Sequence, residues 1–435
     1  MRYAGRDAQA AHPYRRVAFR CYQCEIMYES QPMPILEDVY VFDAVRTPRG
    51  RGKPTGGLHT QTPLSLVVTL LEELRHRYSG IDRSVDEIVL GCCEQFNDQG
   101  GNLARSAALQ ARYSTTTPGL MVSRFCGSGL DAVNVAVAKV MSGQADLVIA
   151  GGVEMLSLFT IFGSGGPMLS DVQFKDQTVG VPQGISADLI ATLQGYSRND
   201  VDNFAAQSQQ RAYRAWEQGW FLRSIVPVNT GSTLVERDEL VRNNVTTESL
   251  SELKPSFAKT GEVEGHAEII RYRYPQVGRL NYVHHAGNSS GIADGAGLVV
   301  IGNREVSERL GMQPRARILS TASAADDPCI MLTAPAEATS KALRRVGLRF
   351  SDIDLYEVNE AFASVVLYFM EKTKVPHEKV NPVGGAIAMG HPVGATGAML
   401  IGTLIDEMKR REVRRGAVTM CTGLGMGVAA ILETV

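Results

Sequence analysis

Long apolar runs, an excess of charge of one sign and a dense cysteine pattern are all missing from this sequence. No apolar stretch reaches the roughly 18 residues that cross a bilayer, so no membrane span is expected. Lys plus Arg total 44 and Asp plus Glu 46, a net charge of −2. That balance gives no support to a nucleic-acid partner, although a local basic patch could still meet a phosphorylated ligand. Seven cysteines in 435 residues make no disulfide framework and read as free thiols in a reducing compartment. The cytoplasm is the expected location, with the mitochondrion as the alternative. No secretory apolar segment opens the chain, and the final Leu432-Glu433-Thr434-Val435 is not a peroxisomal address. Cys21 and Cys24 form one CxxC with no second pair, half of a zinc site at most, so no metal is expected.

What is present is an α/β pattern. Residues 1–37 differ in composition and are expected to be a poorly ordered extension. From residue 38, short β-branched apolar runs alternate with segments of helical period, which implies a largely parallel, covered sheet. "DVYVFDAVRTP", "VDEIVLGCC" and "ADLVIAGGVE" read as strands, and "TPLSLVVTLLEELRHRY" as a helix opened by Thr-Pro. The order returns near the C-terminus in "DIDLYEVNEAF", "AIAMGHPVGATGAMLIGTLIDEMKRR" and "GAVTMCTGLGMG". Ile88 laid on Ile353 gives an offset of 265 (353 − 88), and the strands starting at Asp146 and Gly416 give 270 (416 − 146). The first offset carries Cys126 onto His391. Two duplicated halves would each place a reactive residue at the start of an equivalent helix, facing each other across a pseudo-twofold axis.

The chemistry-bearing residues gather at strand ends. Cys126, in "RFCGSGL", follows a strand and opens a helix, where positive dipole favours a thiolate and small neighbours leave room for an acyl group. His391 follows a glycine and precedes Pro392, which is expected at the first position of the next helix. Alone, such a histidine reads first as structural. Cys421 ends one second-half strand and Asn359-Glu360 another. One site explains this gathering better than separate accidents.

Those residues carry a resemblance to thiolases: "CGSG" at 126–129, "GGVE" at 151–154, "AGNSSGIADGA" at 286–296, "NEAF" at 359–362, "GGAIAMGHPVGATGA" at 384–398 and "CTGLGMG" at 421–427. They stand in family order over nearly all of residues 38–435. The degradative 3-ketoacyl-CoA thiolases, including β subunits of bacterial fatty-acid oxidation complexes, look most similar. The resemblance implies duplicated βαβαβαββ halves in a five-layered αβαβα core with an inserted loop subdomain. The halves would span residues 38–156, completed by about 291–313, and 314–435, with the insertion at 157–290. It implies acetyl-CoA C-acyltransferase activity: cleavage of 3-ketoacyl-CoA by CoA through an acyl-cysteine. Cys126 would be the nucleophile, His391 its base and an oxyanion donor, and Cys421 the acid/base. Asn359 would hold an oxyanion water, the backbone N–H groups of Cys126 and Gly423 would face the tetrahedral oxygen, and Ser290 would touch the pantetheine of CoA. CoA and acyl-CoA enter as substrates, with no permanently bound cofactor. A homodimer or homotetramer is implied, with a hydratase/dehydrogenase α subunit as a further possible partner.

Two stretches depart from the pattern. Met155-Leu156-Ser157 and the apolar "LFTIFGSGGPM" after it bear on the acyl tail, and His284-His285 stand where smaller residues are expected. A solvent-facing or structural role for these histidines is as good a reading as a role in substrate binding. The alternatives are an acetyl-CoA acetyltransferase running the condensation, a non-catalytic acyl-CoA-binding relative, and a decarboxylating ketoacyl synthase. The last would call for a second histidine in a glycine-flanked setting, and none is seen.

Overall fold

The computed structural model describes residues 36–178 and 180–435. The extension and its Cys21–Cys24 pair lie outside these, apart from Leu36 and Glu37. The first strand, β1 (Val39–Arg46), is buried along its whole length. Helix α1 (Pro63–Arg77) starts where the sequence marks it: Thr62 caps the Ser65 N–H, Pro63 fills the first position, and Arg75, His76 and Arg77 close the last turn. Then follow β2 (Glu87–Gly91), α2 (Leu103–Gln110), β3 (Gly119–Val122), α3 (Ser128–Met141) and β4 (Leu147–Met155). Helices α4 (Gln183–Gln194) and α5 (Arg198–Glu217) belong to the long intervening stretch, which returns to the sheet as β5 (Ala293–Gly302). The second half holds β6 (Ala316–Ala325), α6 (Pro335–Arg345), β7 (Leu355–Val358), α7 (Ala363–Thr373), α8 (Thr396–Arg410), β8 (Arg415–Thr422) and β9 (Met426–Thr434).

The strands run in the order β7-β8-β9-β6-β1-β5-β4-β2-β3. Reading outward from the β1/β6 seam, each half repeats one plan. Two antiparallel neighbours come first, β5 and β4 on one side and β9 and β8 on the other, then a parallel strand, β2 or β7. The first half adds β3 at its edge; the second has only the Tyr356–Val380 bridge there. The seam itself is short, Val39 to Val41 against Ile318 to Ala316.

Three apolar layers separate the two sheet halves and cover them. Val133, Ala136 and Val137 of α3 and Ile401, Leu404 and Ile405 of α8 pack on Val89, Val148 and Val299 and also on Val418, Val428 and Ala430. Helix α1 covers the outer face of the first half through Leu66, Leu70 and Leu74. Helices α6 and α7 cover the second through Ala338, Leu343, Val366 and Phe369. Helix, sheet, helix, sheet, helix is the five-layered arrangement. The central pair of helices approaches closely because glycine stands at the crossings. A Cβ on Gly397 would collide with the Leu130 N–H, and one on Gly129 with the Gly394 carbonyl. Among the described residues no helix is long and apolar enough to cross a membrane.

Candidate active site

The chain leaves β3 through a turn that puts Phe125 at φ +48 and lets Gly127 cap α3. The Ser128 hydroxyl donates to the Phe125 carbonyl at 2.6 Å and accepts from the Arg124 N–H at 2.9 Å, and Arg124 pairs with Asp131. This locked turn presents the Cys126 thiol at the mouth of the central helix layer. Desolvation by the surrounding protein pushes that thiol up to about 11. The Gln183 side chain and the N–H groups of Cys126 and Gly423 act the other way by favouring the thiolate, and Glu154 adds to the rise.

His391 is 6% exposed, and its backbone is fixed by the Gly291 carbonyl at 2.8 Å and a bridge to Ile292. Its Nδ1 lies 2.6 Å from the Thr396 hydroxyl, which itself donates to the Pro392 carbonyl at 3.0 Å. The hydroxyl must therefore accept from Nδ1–H, an assignment made from the network. Nε2 is left without a proton, and the Asn359 amide nitrogen donates to it at 3.4 Å. Burial, with the Arg49 charge behind it, lowers the imidazole to about 3, so the ring is neutral. The helix after it does not begin at Pro392. Its cap is Ala395 and its first residue Thr396, because residues 392–395 form a separate turn whose Gly394 N–H is held by Glu154 at 2.9 Å.

Cys421 pairs with Gly427 in β8 and is 1% exposed; burial and the nearby Cys126 raise its thiol. After it, Leu424 at φ +59 and Gly425 at φ +79 fold the chain back, which aims the Gly423 amide at the Cys126 sulfur. Asn359 ends β7 with its backbone on the Thr419 carbonyl at 3.0 Å, and its buried Oδ1 has no protein partner. Glu360 turns away: Ser208 donates to it at 2.6 Å and Asn381 at 2.9 Å. Of that pair only the amide faces the site. Glu154 ties the halves together, accepting from the amides of Cys93 and Gly394 and from Gln99 at 2.7 Å.

Cys126, His391, Ser290 and Gly423 line one cavity of about 850 Å³. Its outer wall is apolar, from Leu156, Ile161, Phe162, Leu169, Phe174 and Met331. Glu94 pins this wall by accepting from the amides of Phe162 at 2.7 Å and Ser164 at 2.9 Å. The cationic groups on the lining are Lys175 and, when protonated, His266. His284 and His285 do not face solvent. Both are buried, His284 on Asp188 at 2.7 Å and His285 on Asp202 at 2.8 Å, and His285 also accepts the Gly287 N–H. They brace the turn that delivers Ser290 and the Gly291 carbonyl. Gln183, Glu94 and Arg49 carry no local sequence signal, because each reaches the site from a distant element, whereas Thr396 stands five residues after His391 in the same glycine-flanked stretch. Among the described residues no cluster of three His, Cys, Asp or Glu is arranged for a metal ion.

The chain matches the family profile "Thiolase, N-terminal domain" over residues 39–267 and "Thiolase, C-terminal domain" over residues 312–434. It is 39% identical to a β-ketoadipyl-CoA thiolase of Pseudomonas aeruginosa, across 92% of this chain and 99% of that one. A 3-ketoacyl-CoA thiolase of Cronobacter sakazakii is 37% identical, across 92% and 100%. The structure of human mitochondrial 3-ketoacyl-CoA thiolase superposes with a TM-score of 0.80 at 30% identity, covering 92% of this chain and all of that one.

Proposed function

The chain belongs to the thiolase family, and from that premise we propose that it cleaves 3-ketoacyl-CoA with CoA, giving acetyl-CoA and a shortened acyl-CoA. The carrying observation is a thiol and a neutral imidazole, its Nε2 free of a proton, on one cavity whose outer wall is apolar. His391 Nε2 takes the Cys126 proton, and the thiolate attacks the 3-keto carbon. The bond between C2 and C3 breaks, leaving an acyl-thioester on Cys126 and the enolate of acetyl-CoA. Cys421 gives its proton to that enolate carbon. It then takes the proton of the incoming CoA thiol, whose sulfur displaces Cys126; the leaving thiolate regains its proton from His391. A covalent intermediate divides one hard step into two.

Negative oxygens arise twice and need donors already in place. The Cys126 and Gly423 amides, both of which favour the thiolate in the resting site, suit the tetrahedral oxygen. The enolate oxygen falls to His391 and to a water on Asn359, whose free Oδ1 supports that reading. Ser290, on the cavity edge, suits the pantetheine arm. This activity belongs to fatty-acid degradation. The test is CoA-dependent loss of 3-ketoacyl-CoA over increasing chain length, alongside intact mass after acetyl-CoA. Turnover with an acetyl adduct on Cys126 is expected; neither event in a folded protein would overturn the reading.

A further inference from the structure

Arg49 is 1% exposed, and its guanidinium has no carboxylate of its own among the described residues. Asp238, the nearest candidate, spends both oxygens on Arg46 at 2.7 and 2.9 Å and reaches only the backbone N–H of Arg49. The guanidinium instead donates from Nη1 to the Gly390 carbonyl at 3.1 Å and from Nε to the Met399 sulfur at 3.3 Å. Its Nη2 is buried with no partner. A buried, incompletely satisfied cation is costly to keep, so a fold carries one only where something offsets the cost. Gly390 directly precedes His391 and stands at φ +98, where the backbone is set by its contacts rather than by a side chain.

We infer that Arg49 is a positioning residue for the base: its guanidinium fixes the Gly390 carbonyl, and with it the backbone that carries the His391 ring, while setting an incompletely paired positive charge beside that ring. This rests on His391 being the base that serves Cys126. Asp238, Glu357 and Glu360 offset that charge only in part. Burial moves Glu154, Glu357 and Glu360 toward their protonated forms, and Cys126 and Cys421 toward their thiols. Asp238 is compensated by Arg46. Burial is the larger cause that lowers His391, and the Arg49 charge adds to it. Removing a nearby cation makes an imidazole easier to protonate, so the acidic limb of the reaction should climb toward neutral pH.

The experiment measures kcat/KM and iodoacetamide alkylation of Cys126 against pH in R49Q, R49M, R49K and H391A. R49Q and R49M should shift the acidic limb upward by about one pH unit, the scale of one charge felt through partly polar surroundings. R49K keeps the charge and should keep the limb while losing part of kcat. Should R49M fail to fold, R49Q decides, since its amide can still donate to Gly390. A limb in R49Q that coincides with wild type overturns the inference, as does an R49K limb displaced like that of R49Q. The control separates the two readings. A wild-type alkylation profile in H391A removes His391 as the base. A changed H391A profile beside unmoved Arg49 variants removes only the role of Arg49.

Discussion

At the scale of single residues, the resting site is an uncharged pair: a thiol raised to about 11 and an imidazole lowered to about 3. Neither side chain is activated alone, and transfer between them is driven by what receives the negative charge. Gln183 is one such receiver, so Gln183→Ala should push the Cys126 thiol higher and slow iodoacetamide alkylation at pH 8 by at least severalfold. Alkylation at the wild-type rate would remove Gln183 from the site. Thr396 sets the tautomer. Thr396→Val should lower kcat by roughly 10- to 100-fold with little change in KM, since a ring with its proton on Nε2 cannot act as base. Cys126 and His391 were legible from the sequence because each sits in a glycine-flanked junction and the duplication aligns them. Gln183 and Arg49 were not, because a contact across the fold leaves no trace in neighbouring letters; Thr396 stands only five residues from His391, but its pairing with Nδ1 depends on the turn between them.

At the scale of elements, hydrophobic period and capping marked the main strands and helices from the sequence. Helix α1 shows why: Thr62, Pro63 and the basic last turn are all local signals. The start of α8 was misplaced because Pro392 looks like a first helical residue, while the Glu154 contact to Gly394, 240 positions away, imposes a turn first. The crossing of α3 and α8 is the element-scale feature most exposed to change. Gly397→Ala should cost about 1–3 kcal/mol, since a methyl there meets the Leu130 backbone, which has no rotamer to yield. The midpoint of thermal unfolding should fall by several degrees. An unchanged midpoint would mean that the two helices can separate freely.

At the scale of the whole molecule, pH acts through buried carboxylates. Asp294 is raised to about 6 by burial, its Oδ2 unpartnered. A carboxyl raised in the folded state adds stability fully below its unfolded value near 4, and loses it as pH climbs through about 6. Asp294→Asn keeps the acceptor for the Ser157 N–H but cannot ionise. It should gain on wild type by about 2 kcal/mol between pH 4.5 and 7.5, seen as diverging unfolding midpoints. Parallel midpoints would exclude an ionising Asp294. The position of β5 reaches further, into synthesis. It lies between β1 and β4 in the sheet, yet Gly302 follows Met155 by 147 residues (302 − 155). At about 5–20 residues per second, both earlier strands wait roughly 7–30 s with an open edge while the ribosome reaches their shared neighbour. A nascent chain halted near residue 290 should be cut by protease and held by chaperones, and one halted well past residue 302 much less so. A premature stop in the long intervening stretch therefore yields no half-sized enzyme, but a sheet missing the strand between its first two, primed to aggregate.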